Sequence, residues 1–251
     1  MLVVRSTGSE YLVQPVGEPE ADIISVTLRG KFRLKGFKLT NPIAVGDRVV
    51  VTLDDRRIVE LLPRENYLLR ESTHRAHHSQ ILCANIDQAI LIFSIEYPFT
   101  PLGFLDNFLV MCEAYHIPAV IIFNKIDRIE KEKHQFKLAD FSIIYHEIGY
   151  TVKHMVATDE DYREKAKSLL LGKRSFLCGK SGAGKSSLVN LVDPSLNLRT
   201  REISEYSDKG QHTTTFAELF WLHDEAGTDE AGTDQPVING SVIDAPGLNA
   251  F

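Results

Sequence analysis

Cysteine is scarce in this chain. Cys83, Cys112 and Cys178 are the three among 251 residues. They are odd in number, far apart and never arranged as C-x-x-C. Neither a disulfide framework nor a cysteine-ligated zinc site is therefore expected, and each reads as a small buried apolar side chain. No apolar run approaches the twenty residues a membrane helix needs, and no signal-peptide pattern opens the chain. These absences point to a reducing cytoplasmic setting and to no membrane partner. A positive excess is also missing, since the net charge is −6. The balance is uneven: the first 80 residues are slightly basic and the remainder is acidic. A polyanion would therefore be met by the N-terminal part. Apolar residues make up 43% and charged ones 25%, a globular composition with enough core for one or two domains.

What is present centres on RSFLCGKSGAGKSSLVN, residues 174–190. Arg174 to Cys178 is a short apolar run. Gly179-Lys180-Ser181-Gly182-Ala183-Gly184-Lys185-Ser186 then fits G-x-x-x-x-G-K-[ST], a phosphate-binding pattern. Glycines let the backbone curl so that successive N–H groups point inward, and the positive end of the following helix adds to them. Lys185 would reach the β- and γ-phosphates, and the Ser186 hydroxyl would bind Mg²⁺. A glycine-rich turn matching by chance is the bland alternative. The preceding strand and the Ser187-Leu188-Val189 helix start supply the context that the motif requires.

Base choice comes from Asn124-Lys125-Ile126-Asp127, which follows the apolar run Ala119 to Phe123. A carboxylate at Asp127 can accept hydrogen bonds from N1–H and the 2-amino group of guanine, which adenine cannot supply; sites of this kind discriminate by about 10⁴–10⁵. Alone the tetrapeptide also suits an ordinary strand-to-helix turn. Asp244-Ala245-Pro246-Gly247, after Val242-Ile243, matches D-x-x-G. There the Asp would bind Mg²⁺ through water and the Gly247 N–H would meet the γ-phosphate, although Asp-x-Pro-Gly by itself is more often a plain turn.

The three motifs resemble those of GTPases in a rotated order: N-K-x-D, then the phosphate loop, then D-x-x-G. Between the last two lies Gly210-Gln211-His212-Thr213-Thr214-Thr215, similar to the G-R-H-T-T-T switch of the RsgA (YjeQ) family of ribosome small-subunit-dependent GTPases. The resemblance spans nearly the whole chain. It implies an α/β P-loop GTPase domain, circularly permuted, behind an all-β OB-type barrel. It implies a barrel over 1–66, a linker over 67–80 and a GTPase domain over 81–251. It also implies hydrolysis of GTP to GDP and phosphate during late maturation of the small (30S) ribosomal subunit, stimulated by that subunit.

The family pattern places GTP on Asn124, Lys125, Asp127, Ala157, Thr158, Gly179, Lys180, Ser181, Gly182, Ala183, Gly184, Lys185, Ser186, Ser187 and Gly247. It places Mg²⁺ on Ser186, Thr214 and Asp244. Three substitutions depart from it. Ala157-Thr158 stands where the family has Ser-Ala, a change that a backbone contact to guanine O6 tolerates. Gln211 replaces an Arg, which puts any phosphate or RNA contact of that Arg in doubt. Ala245 replaces a Thr outside the motif's chemistry. Relatives continue into a helical zinc-binding module, while this sequence stops at Phe251; zinc is expected only in that module. Leu248 occupies the position where many GTPases carry a water-orienting Gln. His212 is then the catalytic candidate beside Lys185, because a neutral imidazole can accept a hydrogen bond from the attacking water.

Upstream, Glu10–Val13, Ile23–Leu28, Lys31–Leu34, Arg48–Leu53 and Arg57–Leu61 read as short strands separated by Gly, Pro, Asn and Asp, a pattern suited to a small barrel. In Arg29-Gly30-Lys31-Phe32-Arg33-Leu34-Lys35 the cations alternate, so on a strand Arg29, Lys31, Arg33 and Lys35 share one face. Taken alone, that face suits RNA contact and solvated edge protection equally; the resemblance favours ribosomal RNA. Residues 63–80 read as a polar connector. His74, His77 and His78 lack a completing ligand set there, and Arg64, Arg70 and Arg75 could extend an RNA-facing surface. Strands over 88–94, 119–123, 151–157, 216–222 and 237–243 alternate with helices over 102–116, 130–149 and 160–171, which argues for a mostly parallel sheet. The duplicated Glu-Ala-Gly-Thr-Asp at 225–234 reads as a tolerated loop insertion. A monomer is expected. Two other functions stay open: a nucleotide-gated RNA-binding switch with negligible turnover, and a P-loop kinase or ATPase. The Asn124–Asp127 and Asp244–Gly247 motifs argue against the latter.

Overall fold

The computed structural model describes residues 1–7, 10–28, 42–71, 79–199, 217–224 and 237–244. The chain opens with β1 (Leu2–Ser6), β2 (Glu10–Gln14), β3 (Ile24–Leu28), β4 (Val49–Thr52) and β5 (Arg57–Leu61). These pair in the order β1-β2-β3-β5-β4, with β3 and β5 parallel and the other neighbours antiparallel. Leu2 bridges Arg48, and Met1 and Val49 exchange two hydrogen bonds of 2.8 Å, which brings the last strand back to the first. The result is a five-stranded barrel in which β2, β3, β4 and β5 match expected strands and β1 does not. Val3, Tyr11, Val13, Val26, Ile43, Val49 and Ile58 fill it.

Strand β1 was not among the sequence-based expectations. Its Val3 enters the barrel core while Leu2 and Val4 join the larger core beyond it. A strand buried on both faces carries no polar alternation to betray it. The Lys31–Leu34 stretch lies outside the described residues.

Part of the expected 67–80 linker is strand. Strands β6 (Tyr67–Glu71) and β7 (Ser79–Ala84) form an antiparallel pair across it. Leu68 and Cys83 are fully buried, and the Tyr67 ring packs on Tyr115 at 5.2 Å. Polar flanks hid a short apolar segment. His74, Arg75, His77 and His78 lie outside the described residues.

Then follow β8 (Gln88–Phe93), α1 (Leu102–Ala114), β9 (Ala119–Asn124), α2 (Glu132–Ile148), β10 (Thr151–Met155), α3 (Arg163–Leu170), β11 (Arg174–Cys178), α4 (Lys185–Val192), β12 (Glu218–Asp224) and β13 (Val237–Asp244). The expected helix over 160–171 begins instead as a 3₁₀ turn at Glu160–Tyr162. Strands β10, β9, β8, β11 and β13 run parallel in that order, β12 is antiparallel at their side, and β1 pairs with β12. One sheet thus runs from the GTPase-like part into the barrel. All six residues of β8 are buried. Its Ala89, Leu91 and Phe93 face the core covered by α1 and α2, and Ile90 and Ile92 face the core covered by α3 and α4. Helices on both faces demand such continuous apolar strands. The parallel arrangement also puts the carboxyl ends of β8, β9, β10, β11 and β13 on one edge, where α/β sheets bind ligands. No helix among the described residues is long and apolar enough to cross a membrane.

Candidate nucleotide-binding site

The loop between β11 and α4 is held at its start and its end. Behind Gly179, the Ile92 carbonyl oxygen would stand 2.5 Å from any Cβ. Gly184 has φ +111°, and a Cβ there would come within 2.1 Å of the Asn124 amide nitrogen. Only a residue without a Cβ allows both this backbone and this contact. The Lys185 ammonium donates to the carbonyls of Gly179 at 2.9 Å and Lys180 at 3.4 Å, closing over the loop. Ser186 and Ser187 are half-buried in the first turn of α4, and Ser181 is exposed.

Asn124 ends β9 and is 3% exposed. Its Nδ2 donates to the Ala183 carbonyl at 2.7 Å, and its Oδ1 accepts from the Ala157 N–H at 2.9 Å. One side chain therefore joins the segments after β9, β10 and β11. Lys125 takes a left-handed conformation, φ +60°, and its Nζ donates to the Gly182 carbonyl at 2.6 Å. Burial pulls its pKa below the ordinary lysine value; nearby Arg128 reinforces the shift and Asp127 opposes it. Asp127 lies in a 3₁₀ turn, Ile126–Arg128, with its side chain 46% exposed and 3.9 Å from the Arg128 guanidinium. Ala157 is buried and Thr158 exposed in the loop after β10.

Asp244 closes β13, opposite Leu177 of β11 on one side and Glu218 of β12 on the other. Its Oδ1 is buried without a hydrogen-bond partner among the described residues. Burial raises its pKa to about 6; Lys185 acts against this and Glu218 adds to it. An unpaired, desolvated carboxylate oxygen is a hard donor of the kind that suits Mg²⁺. The geometry thus brings together Asn124, Lys125, Ala157, the 179–187 loop and, through Lys185, Asp244. His212, Thr214, Gly247, Arg29, Lys31, Arg33 and Lys35 lie outside the described residues, as do Gln211, Ala245 and Leu248.

Two contributors carried no signal in sequence. The Lys180 ammonium donates to the Phe99 carbonyl at 3.1 Å, so the loop after β8 flanks the phosphate loop. Glu218 acts on Asp244 only because β12 pairs with β13. A main-chain acceptor and a cross-strand neighbour belong to no local pattern.

Comparison with known proteins places this arrangement. The family model described as RsgA GTPase matches residues 61–251. The protein named small ribosomal subunit biogenesis GTPase RsgA from Flavobacterium johnsoniae is 41% identical over 255 residues, covering 99% of this chain and 73% of that one. Its namesake from Bacteroides fragilis is 36% identical over 253 residues, covering 100% and 76%. Among solved structures, YjeQ from Thermotoga maritima aligns with a TM-score of 0.64 at 31% identity, over 98% of this chain and 73% of that one. YloQ, described as a circularly permuted GTPase, aligns at 0.59 and 26%, over 99% and 71%.

Proposed function

The chain belongs to the RsgA GTPase family, and on that premise we propose that it hydrolyses GTP to GDP and phosphate in the maturation of the small ribosomal subunit, with turnover raised by that subunit. The observation that carries this reading is the Asn124 side chain, which ties the N-K-x-D segment to the phosphate loop and to the Ala157 loop across a permuted chain order.

In this reading Asp127 accepts from the guanine edge, and the backbone of Ala157-Thr158 meets guanine O6. Residues 179–187 and Gly247 enclose the phosphates. Lys185 leaves the Gly179 and Lys180 carbonyls for the β- and γ-phosphates. Ser186, Thr214 and Asp244 would hold Mg²⁺, to which the buried Asp244 oxygen is chemically suited. Bound there, Mg²⁺ would neutralise charge on the β- and γ-phosphate oxygens. His212 positions the attacking water, since Leu248 cannot. The barrel meets ribosomal RNA through the Arg29, Lys31, Arg33 and Lys35 face. The protein works as a cytoplasmic monomer.

Single-turnover hydrolysis with and without small subunits tests the proposal. The free protein should turn over at about 10⁻⁴–10⁻² per second, the range of unassisted GTPases, and the subunit should accelerate it. His212→Ala should remove most of that acceleration while leaving GTP affinity intact. Absence of turnover in both conditions would leave a nucleotide-gated switch instead, and a fully stimulated His212→Ala variant would return the histidine to a structural role.

A further inference from the structure

A second polar cleft opens at the joint between the barrel and the rest of the molecule, at the amino-terminal edge of the parallel strands. It has a volume of about 410 Å³, within the usual range of small-ligand sites. Arg48 enters from the barrel, Lys173 and Arg174 from the start of β11, and Trp221 from β12. Glu65 and Asp87 are the acidic residues on its wall.

The arginines are incompletely satisfied. Arg48 Nη2 donates to Glu65 at 2.9 Å, and Arg174 Nη1 donates to the Asn85 carbonyl at 3.1 Å. The Nε–H of each is buried with no acceptor among the described residues. Glu65 neutralises Arg48 poorly, because its side chain is 72% exposed and screened by solvent. Asp87 spends one oxygen on the Arg174 backbone N–H, at 2.7 Å. Burial lowers the Arg174 pKa; Asp87 and Glu65 oppose this, and the charge of Arg48 adds to it. Two cations thus feel each other in a half-buried cleft, and Lys173, an exposed residue whose ammonium reaches Gln88 Oε1 at 3.5 Å, lines the same cleft. Guanidinium donors in this state match phosphate oxygens in charge and in hydrogen-bonding geometry.

We propose that this cleft binds a phosphate-bearing anion, supplied either by an RNA backbone or by a free oligophosphate, through Arg48, Lys173 and Arg174. The site is distinct from the phosphate loop, which lies at the opposite, carboxyl edge of the same strands. It is built by both halves of the molecule, so its occupant would bridge the barrel to the sheet.

Trp221 is the single tryptophan of the chain and lines the cleft, with its indole N–H held by Gln14 Oε1 at 2.9 Å. Its fluorescence therefore reports on occupancy. The full chain, saturated with GDP and Mg²⁺ to fill the phosphate loop, would be titrated with inorganic triphosphate and separately with a short single-stranded oligoribonucleotide. A saturable change is expected with at least one probe. A response to triphosphate assigns a free anion, and a response to the oligonucleotide alone assigns an RNA backbone. Arg48→Gln and Lys173→Gln should each weaken that binding about tenfold at unchanged GDP affinity. Lys173 is exposed, so its variant decides the matter even where Arg48→Gln perturbs folding. No response to either probe, or full affinity in the Lys173→Gln protein, would overturn the assignment. GDP binding is measured in the same samples, so failure of the nucleotide reading would be seen separately.

Discussion

Asp244 is a carboxylate held where its charge is disfavoured. Burial raises its pKa from 3.8 to about 6, so the folded chain keeps a proton there that the unfolded chain has already released. Stability must then fall as pH rises from about 4 to about 6, and the penalty is complete above that window. The shift corresponds to about 3 kcal/mol at most, at roughly 1.4 kcal/mol per unit. Asp244→Asn removes the titration. Denaturant unfolding of the nucleotide-free proteins at pH 4 and pH 7 should show the variant gaining about 2–3 kcal/mol on the native chain across that span. A constant difference would mean that the carboxylate titrates normally. The destabilised charge has a use in the proposed function: a cation at Asp244 would relieve it, which links metal binding to stability.

At the scale of elements, the site is a junction of loops rather than an enclosed pocket. The turn after β11 approaches the end of β9 so closely that residue 184 has no room for a side chain. Gly184→Ala would meet both a positive φ and the Asn124 amide. The strained backbone costs on the order of 1–3 kcal/mol. Displacing Asn124 also leaves the buried Ala157 N–H and the Ala183 carbonyl without their partner, at about 1–3 kcal/mol for each such group. The variant should lose at least about tenfold in GDP affinity and melt several degrees lower, measurable by calorimetry with and without GDP. Unchanged affinity would show that Asn124 does not hold the loop for nucleotide. The same closeness explains why the three motifs can be permuted in the chain: their contacts depend on which strand ends are neighbours, not on which strand comes first.

For the whole molecule, the barrel meets the β6–β7 segment through the loop before β4. There the Val45 carbonyl accepts from the Ala84 N–H at 3.0 Å and the Gly46 carbonyl from Asn85 Nδ2 at 2.8 Å, and a buried ion pair holds that loop. Asp47 is fully buried and takes a two-pronged contact from Arg64, with Nε at 2.7 Å and Nη2 at 2.6 Å, plus the Ala44 N–H at 2.8 Å. Arg64 also reaches the Pro42 carbonyl at 2.8 Å and lies over the Tyr67 ring at 5.7 Å. A buried pair contributes little net stability when intact, but removing one partner strands the other, at about 3–5 kcal/mol. Asp47→Ala should therefore cost that much in urea unfolding, and adding Arg64→Leu should recover most of it. A loss below about 1 kcal/mol in the single variant would show that the pair is solvated. The sequence makes Arg64 a candidate to extend an RNA-facing surface; its contacts with Asp47 and Pro42 give it an internal role.

The chemistry was written locally and could be read locally. Gly179 to Ser186, Asn124 to Asp127 and Asp244 to Gly247 are short motifs whose residue types follow from what binds phosphate and base. Strands β8, β9 and β11 announced themselves as continuous apolar runs, because a strand covered on both faces has no polar side. The same burial concealed β1, which is too short for an apolar run to stand out and whose residues divide between two cores. The β6–β7 pair was masked by polar flanks, since pairing is a property of two segments and neither shows it alone. That Asn124 joins three loops, that Glu218 sits beside Asp244, and that Arg48 and Arg174 meet in one cleft were decided only by tertiary structure. In each case the partners are tens to more than a hundred residues apart, and only the order of strands in the sheet brings them within reach.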